Sequence, residues 1–103
     1  MRTAPAIVSH RVDQDIYLVL EDFGRYGRGW READEAATDR KALIRDLLAG
    51  EYPHPLRIIA FNTAEGWSRD MTIEIADELR RRYVEYDDVP TSVLQFLERA
   101  KRR

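Results

Sequence analysis

The chain has no cysteine among its 103 residues. It therefore cannot form a disulfide, an iron–sulfur cluster, a cysteine-ligated zinc site or a thiolate nucleophile. It also lacks any run near the roughly 20 apolar residues that span a bilayer, so we expect no membrane segment. No basic stretch leads into an apolar core near Met1, and a signal peptide is not predicted. Together these absences predict a cytoplasmic protein.

Neither sign of charge dominates the composition. The 17 Lys and Arg residues and the 19 Asp and Glu residues give a net charge of −2, which excludes a polycation built for nucleic acid. Residues 79–103 do carry a local excess, with 7 basic against 4 acidic side chains. Arg80, Arg81 and Arg82 fall on different faces of a helix, however, and form no basic stripe. We keep weak nucleic-acid binding through this end only as an alternative.

The proportions of apolar and charged residues, 44% and 35%, permit a real core beneath a charged surface. Such a chain is too hydrophobic to be intrinsically disordered, and its length suits one compact domain. We predict a single α/β domain over residues 1–103, with mobile ends at residues 1–12 and 101–103.

Two short apolar runs predict buried strands at about residues 15–21 and 56–61. The first run is continuous, which is typical of a strand covered on both faces. The second follows Pro53 and Pro55, which keep that segment extended. Between them an apolar stripe predicts a helix; it consists of Leu43, Ile44, Leu47 and Leu48. Thr38 or Asp39 can cap this helix, and Gly50 suits its end.

A strand, a helix and a second strand predict a βαβ unit, whose strands run parallel. We expect a small two-layer α/β domain in which this unit is followed by two helices. Because a small sheet exposes its edges, an extra N-terminal edge strand at Ala6-Ile7-Val8 or strands in the loop at residues 24–35 could extend it. Alternatively a second copy of the chain covers the edges, and we expect a homodimer.

The segment after the second strand opens like a helix. Asn62 is a good N-cap and Glu65 stands three residues later, as in a capping box. Apolar residues then recur at every fourth position, which predicts one helix from about Ala64 to Tyr83; they are Trp67, Met71, Ile75, Leu79 and Tyr83. Alternatively Thr72 caps a second, shorter helix. Pro90 suits the start of the last helix, whose apolar residues are Val93, Leu94, Phe96 and Leu97.

A loop that combines glycine, tryptophan and arginine follows each predicted strand. If the strands are parallel, their carboxyl ends lie side by side, where open α/β sheets bind ligands. Arginines and a helix N-terminus suit phosphate or carboxylate. We predict a site for a small anionic ligand, formed by Arg25, Arg28, Trp30, Arg31, Asn62, Thr63, Glu65, Trp67 and Arg69. The alternative is that the tryptophans are core or dimer anchors.

No catalytic motif is present in the sequence. No serine stands in a G-x-S-x-G elbow, the glycine order at residues 24–29 does not match a dinucleotide fingerprint, and His10 and His54 lack metal-ligand spacing. Glu21 or Asp22 could do acid–base work if it were buried. We predict no catalytic residue, no metal and no cofactor.

The sequence resembles a family of small alphaproteobacterial proteins of the rhizobial type in two segments. The segments are Phe61-Asn62-Thr63-Ala64-Glu65-Gly66-Trp67-Ser68-Arg69-Asp70 and Tyr17-Leu18-Val19-Leu20-Glu21-Asp22-Phe23-Gly24. The likeness extends from about Val12 to Leu79. It implies a free-standing bacterial cytoplasmic protein and carries no activity, cofactor or catalytic residue with it.

These observations favour an interaction or accessory module that forms a homodimer or binds another protein, with Trp67 or the C-terminal helix as its anchor, because aromatic anchors commonly dominate interfaces. The first alternative is a binding protein or enzyme for a small anionic ligand, such as a phosphorylated compound, at the paired loops. The second is the weak nucleic-acid binder.

Overall fold

The computed structural model describes residues 15–32, 40–86 and 88–101. Within these ranges the chain forms four strands and three helices. They are β1 (Ile16–Asp22), β2 (Arg28–Glu32), α1 (Arg40–Leu48), β3 (Pro55–Asn62), β4 (Trp67–Asp70), α2 (Thr72–Arg82) and α3 (Thr91–Lys101). The prediction of a small α/β domain is confirmed, and both predicted strands are present.

All neighbouring strands of the sheet are antiparallel, in the order β2-β1-β3-β4. The predicted parallel βαβ unit is therefore wrong, since β1 and β3 run in opposite directions with Val19 opposite Ile58. The reason is β2, which reverses the chain before helix α1. The helix thus stands between β2 and β3 in the sequence. These two strands share a direction, but β1 lies between them in the sheet.

Several predictions lie outside the described residues. They are the N-terminal strand at Ala6-Ile7-Val8, the mobility of residues 1–12 and 102–103, and the capping of α1 by Thr38 or Asp39. The other predicted source of extra strands is confirmed, because the loop that follows β1 supplies β2.

Helix α1 ends as predicted at Gly50. This glycine has a φ of 81°, a left-handed value that favours glycine over residues with a Cβ. Its N–H donates to the Leu47 carbonyl at 3.1 Å, and the Glu51 N–H donates to the Asp46 carbonyl at 3.0 Å. Both bonds satisfy carbonyls that the last helical turn leaves free.

The helices cover one face of the sheet. Side chains alternate between the faces along a strand, and Tyr17, Val19, Ile58 and Ala60 lie on the covered face in one core with the helices. The helix residues that are fully buried there are Leu43, Ile75, Leu79 and Phe96. The other face, which we call the open face, carries half-buried apolar side chains at its centre: Leu18, Leu20, Ile59 and Phe61.

The single helix predicted from Ala64 to Tyr83 is wrong in its first part. Asn62 Oδ1 does accept a hydrogen bond from the Glu65 N–H, at 2.9 Å, but the Gly66 N–H also donates to the Asn62 carbonyl, at 2.8 Å. Gly66 has a φ of 75°, which a right-handed helix does not contain. The expected helix cap instead closes the β3–β4 hairpin, and Trp67 belongs to a strand.

Helix α2 begins at Thr72, the alternative start that the sequence offers. The Thr72 hydroxyl accepts the Ile58 N–H at 2.9 Å and donates to Asp70 Oδ1 at 2.6 Å. Asp70 also accepts the Thr72 N–H at 2.9 Å and pairs with Arg57 at 2.8 Å. Because β4 ends at Asp70, the Thr72 hydroxyl takes the place of a backbone acceptor for the Ile58 N–H. Polar contacts thus fix the junction between β4 and α2.

Helix α3 forms after Pro90, as predicted. The Pro90 carbonyl accepts the Val93 N–H at 3.0 Å. Val93, Phe96 and Leu97 are buried, whereas Leu94 is exposed. No helix within the described ranges combines the length and the apolar character that crossing a membrane requires.

We expect Asp70 to make folding stability depend on acid pH. Partial burial acts to raise the pKa of Asp70, but hydrogen bonds from Thr72 and Arg57, together with the Arg57 charge, outweigh it and lower the pKa below 3.8. The unfolded chain then binds more protons than the folded one, so the stability that Asp70 contributes is lost as pH falls through its lowered pKa. Asp70→Asn should flatten this acid limb, as measured by urea unfolding between neutral and strongly acidic pH.

Ser68→Ala, on the same strand but outside these contacts, is the control and should retain the acid limb of the wild type. An Asp70→Asn protein whose unfolding free energy falls as steeply with acid as that of the wild type would contradict this role.

Candidate functional site

The antiparallel sheet separates the two loops of the predicted anion site. The loop after β1 lies where β3 begins, since Glu21 is opposite Pro55, and the loop after β3 lies at the other end, where Ile16 is opposite Phe61. A strand of 7 residues covers on the order of 20 Å. The two groups of predicted residues therefore do not converge on one concavity.

Four of the predicted residues lie on the β1–β2 hairpin: Arg25, Arg28, Trp30 and Arg31. The Arg25 guanidinium carbon is 5.3 Å from the ring centroid of its neighbour Tyr26. Arg31 lies on the helix-covered face, where it pairs with Glu21 and stacks over the Tyr52 ring at 4.7 Å. These two arginines are thus engaged on different faces of the hairpin.

The other predicted residues lie on the β3–β4 hairpin: Asn62, Thr63, Glu65, Trp67 and Arg69. Trp67 Nε1 donates to Glu65 Oε1 at 2.7 Å. Arg69 stacks over the Trp67 ring at 5.9 Å and donates to Met71 Sδ at 3.2 Å. Trp67 is half-buried against the core. The hydrogen bond and the ring contact of Trp67 both lie within the hairpin. Trp67 is therefore not an exposed anchor.

The basic residues of α2 are paired within their own helix. Arg80 contacts Asp77 at 2.9 Å, and Arg81 and Arg82 contact Glu78 at 3.2 and 3.1 Å. Two acidic neighbours, Asp77 and Glu78, therefore offset part of the positive charge that motivated the nucleic-acid alternative.

Glu21 is a buried carboxylate, with 1% of its surface exposed. Its Oε1 binds the Arg31 guanidinium, and its Oε2 accepts the His54 N–H at 3.0 Å. Both oxygens thus hold neighbouring parts of the chain, namely β2 and the segment that leads into β3. These contacts assign Glu21 a structural role rather than the acid–base role that burial would allow.

We expect Glu21→Ala to lower the free energy of unfolding by about 1–3 kcal/mol, because it leaves the His54 N–H and the Arg31 guanidinium without their acceptor. Glu21→Gln, which retains an acceptor, should cost less, and the exposed neighbour change Glu51→Ala should cost little. Urea unfolding measures all three variants. A Glu21→Ala protein as stable as the wild type would rule out this role.

Strand β2 forms one edge of the sheet, and its backbone directions follow from two hydrogen bonds. The Asp22 N–H donates to the His54 carbonyl at 3.1 Å, toward β3, whereas the Phe23 N–H donates to the Gly27 carbonyl at 2.7 Å. Asp22 and Arg28, which face each other, are therefore a non-hydrogen-bonded pair. Because such pairs alternate with hydrogen-bonded ones, the backbone groups of Arg28, Trp30 and Glu32 point away from the sheet.

The side chains of the same three residues lie on the open face. Trp30 is opposite Leu20, and Glu32 is opposite Leu18. Trp30 is 49% exposed. The edge thus presents a cation, an aromatic ring and an anion at alternate positions, beside backbone donors and acceptors that no strand of the described chain pairs with. We call Arg28, Trp30 and Glu32 with these backbone groups the β2 edge.

No protein-family model matches the chain, and neither a curated protein nor a solved structure is significantly similar to it. The resemblance to small alphaproteobacterial proteins therefore stays a prediction, and the geometry alone supports a functional interpretation. Within the described ranges, no group of three or more His, Asp or Glu side chains is arranged to hold a metal ion.

Arg28 and Trp30 were predicted as ligand-binding residues of a loop that could add strands, whereas Glu32 was not among the predicted site residues. A more specific signal was present, because Arg28, Trp30 and Glu32 recur with the period of two that is typical of a strand. Gly27 and Gly29 made this short segment resemble a turn-rich loop.

Proposed function

We propose that this protein is a small bacterial interaction module of the cytoplasm that acts as a homodimer joined through the β2 edge. The observation that supports the proposal is the set of outward backbone groups on Arg28 and Trp30, which no strand of the described chain pairs with. Exposed edges of this kind accept a further strand by backbone hydrogen bonding. Antiparallel pairing of β2 with β2 of a second copy would join two four-stranded sheets into one continuous sheet.

A register centred on Trp30 uses every feature of the β2 edge. In this register Trp30 stands opposite Trp30 of the second copy, and the outward backbone groups form the hydrogen-bonded pairs. Arg28 stands opposite Glu32 of the second copy, and the two-fold symmetry creates this pair twice. Opposite charges directly across a strand pair are stabilising. Gly29, against which the Phe23 ring packs, stands opposite Arg31 of the second copy.

The β2 edge lacks several of the features that prevent strands from pairing. Among the features that protect natural edges are lysine, proline and bulges. Strand β2 contains neither lysine nor proline, and its register with β1 shows no shift. Its two outward charges have opposite signs on either side of Trp30, so they attract rather than repel a second antiparallel copy.

The anchors expected from the sequence support a dimer less well than the β2 edge does. Trp67 is half-buried and bonded within its own hairpin. Helix α3 turns Val93, Phe96 and Leu97 into the core and exposes Leu94 as a single large apolar side chain. By contrast, Trp30 sits beside backbone groups that can pair.

Charge reversal tests the proposed register. Arg28→Glu places two acidic side chains opposite each other at both symmetric positions, and we expect it to raise the dimer dissociation constant about tenfold or more. Glu32→Arg should weaken the dimer in the same way. The double variant Arg28→Glu/Glu32→Arg restores both pairs with their signs exchanged and should recover the affinity of the wild type. Sedimentation equilibrium measures the dissociation constant.

The control is Arg25→Glu, which makes the same charge change on the hairpin away from the paired positions and should leave the dissociation constant unchanged. Thermal unfolding confirms that each variant folds. A monomeric wild type at high concentration, or a double variant weaker than both single ones, would refute the register.

A further inference from the structure

A narrow cleft lies at the end of the sheet where β3 begins. Its volume is about 210 Å³, and it is lined by arginines from three elements: Arg28 of β2, Arg57 of β3 and Arg99 of α3. Leu20, Leu56 and Ala100 form its apolar wall. The cleft is therefore small, basic and partly shielded by hydrocarbon.

The positive charge of the cleft is only partly compensated. Arg57 pairs with Asp70 at 2.8 Å, but Arg99 donates to a neutral partner, the Pro55 carbonyl, at 3.2 Å. None of the ion pairs among the described residues includes Arg28 or Arg99. No acidic side chain of the described chain lines the cleft. Within the described ranges, two of the three guanidinium groups that line the cleft therefore take part in no ion pair.

Two of the three guanidinium groups are held before any ligand binds. Asp70, itself fixed by Thr72, orients Arg57, and the Pro55 carbonyl orients Arg99. Each contact uses one terminal nitrogen, so other N–H donors of each fork remain available. Groups that are oriented in advance lose less conformational entropy on binding.

We propose that this cleft binds a small oxyanion of the phosphate class, either a free phosphate ion or a phosphate monoester group. Guanidinium forks match the spacing of phosphate oxygens and bind them by paired, charge-assisted hydrogen bonds. The volume is below the roughly 300–1,000 Å³ of pockets that enclose drug-sized ligands, so the cleft fits the phosphoryl group rather than a whole nucleotide. Its apolar wall reduces screening of the charge.

Arg28 belongs to both the cleft and the β2 edge, where the proposed dimer pairs it with Glu32 of the second copy. Arg57 and Arg99 lie outside that edge. Variants at Arg99 therefore report on the anion alone.

Titration of the isotope-labelled protein with inorganic phosphate, followed by NMR, tests the proposal. We expect the arginine side-chain N–H resonances to shift until they saturate as phosphate is added. Chloride at the same ionic strength should cause no saturable shift. Arg99→Gln removes one fork and should raise the half-saturating phosphate concentration about tenfold or more. Arg25→Gln, which removes the same charge outside the cleft, should leave it unchanged.

Arg28→Gln is the second variant, because Arg28 belongs to no ion pair among the described residues. It should also weaken phosphate binding, with unfolding temperature as the check on folding. A titration with a small phosphate monoester then distinguishes the two sources: tighter binding than phosphate supports an ester, and equal binding supports the free ion. The absence of saturation, or equal weakening by Arg25→Gln and Arg99→Gln, would overturn the proposal.

Discussion

The antiparallel pairing of β1 with β3 determines where each candidate site of this protein lies. It places the β1–β2 hairpin beside the start of β3, and so brings Arg28 close to Arg57 and Arg99. It also sends the β3–β4 hairpin to the opposite end of the sheet. Because β1 is paired on its other side with β2, the remaining edge of β2 faces outward. Both the proposed dimer edge and the proposed anion cleft follow from this one pairing.

Polar side chains replace strand partners around the start of β3. The His54 N–H donates to the Glu21 carboxylate, and the Ile58 N–H donates to the Thr72 hydroxyl. A buried backbone group without a partner would cost free energy comparable to a lost hydrogen bond, so these contacts allow the neighbouring strands to end there. The chain is thereby able to turn into α2 beside the cleft. Thr72 also bonds to Asp70, which in turn orients Arg57.

Much of the secondary structure could be predicted from the sequence, because it depends on local patterns. The apolar runs of β1 and β3, the stripe of α1 and the left-handed Gly50 all carry their information within a few residues. The direction of a strand is not recorded in such a local pattern, since an apolar run looks the same in a parallel and an antiparallel sheet. The error about the direction of β3 therefore arose because the sequence allowed β2 only as one of several ways to extend the sheet, and its polar side chains gave no apolar run that would fix its place before the helix.

The error at Asn62 has a different physical origin. A side-chain oxygen that accepts the N–H three residues later serves a helix start and a hairpin turn equally well, and Gly66 decided between them through its positive φ. The candidate sites could be predicted only in part. Arg28 and Trp30 were recognisable as unusual residues, but Arg57 and Arg99 become neighbours of Arg28 only through the tertiary fold, which no local spacing records.

Amide hydrogen exchange along β2 at several protein concentrations tests the central claim most directly. The account predicts that the Gly29 and Arg31 amides, bonded to β1, exchange slowly at every concentration. The outward Arg28 and Trp30 amides should exchange fast in dilute protein and slow down as the concentration rises, since no strand of the described chain covers them and a second copy would. Protection without this alternation, or outward amides that exchange equally fast at all concentrations, would contradict it.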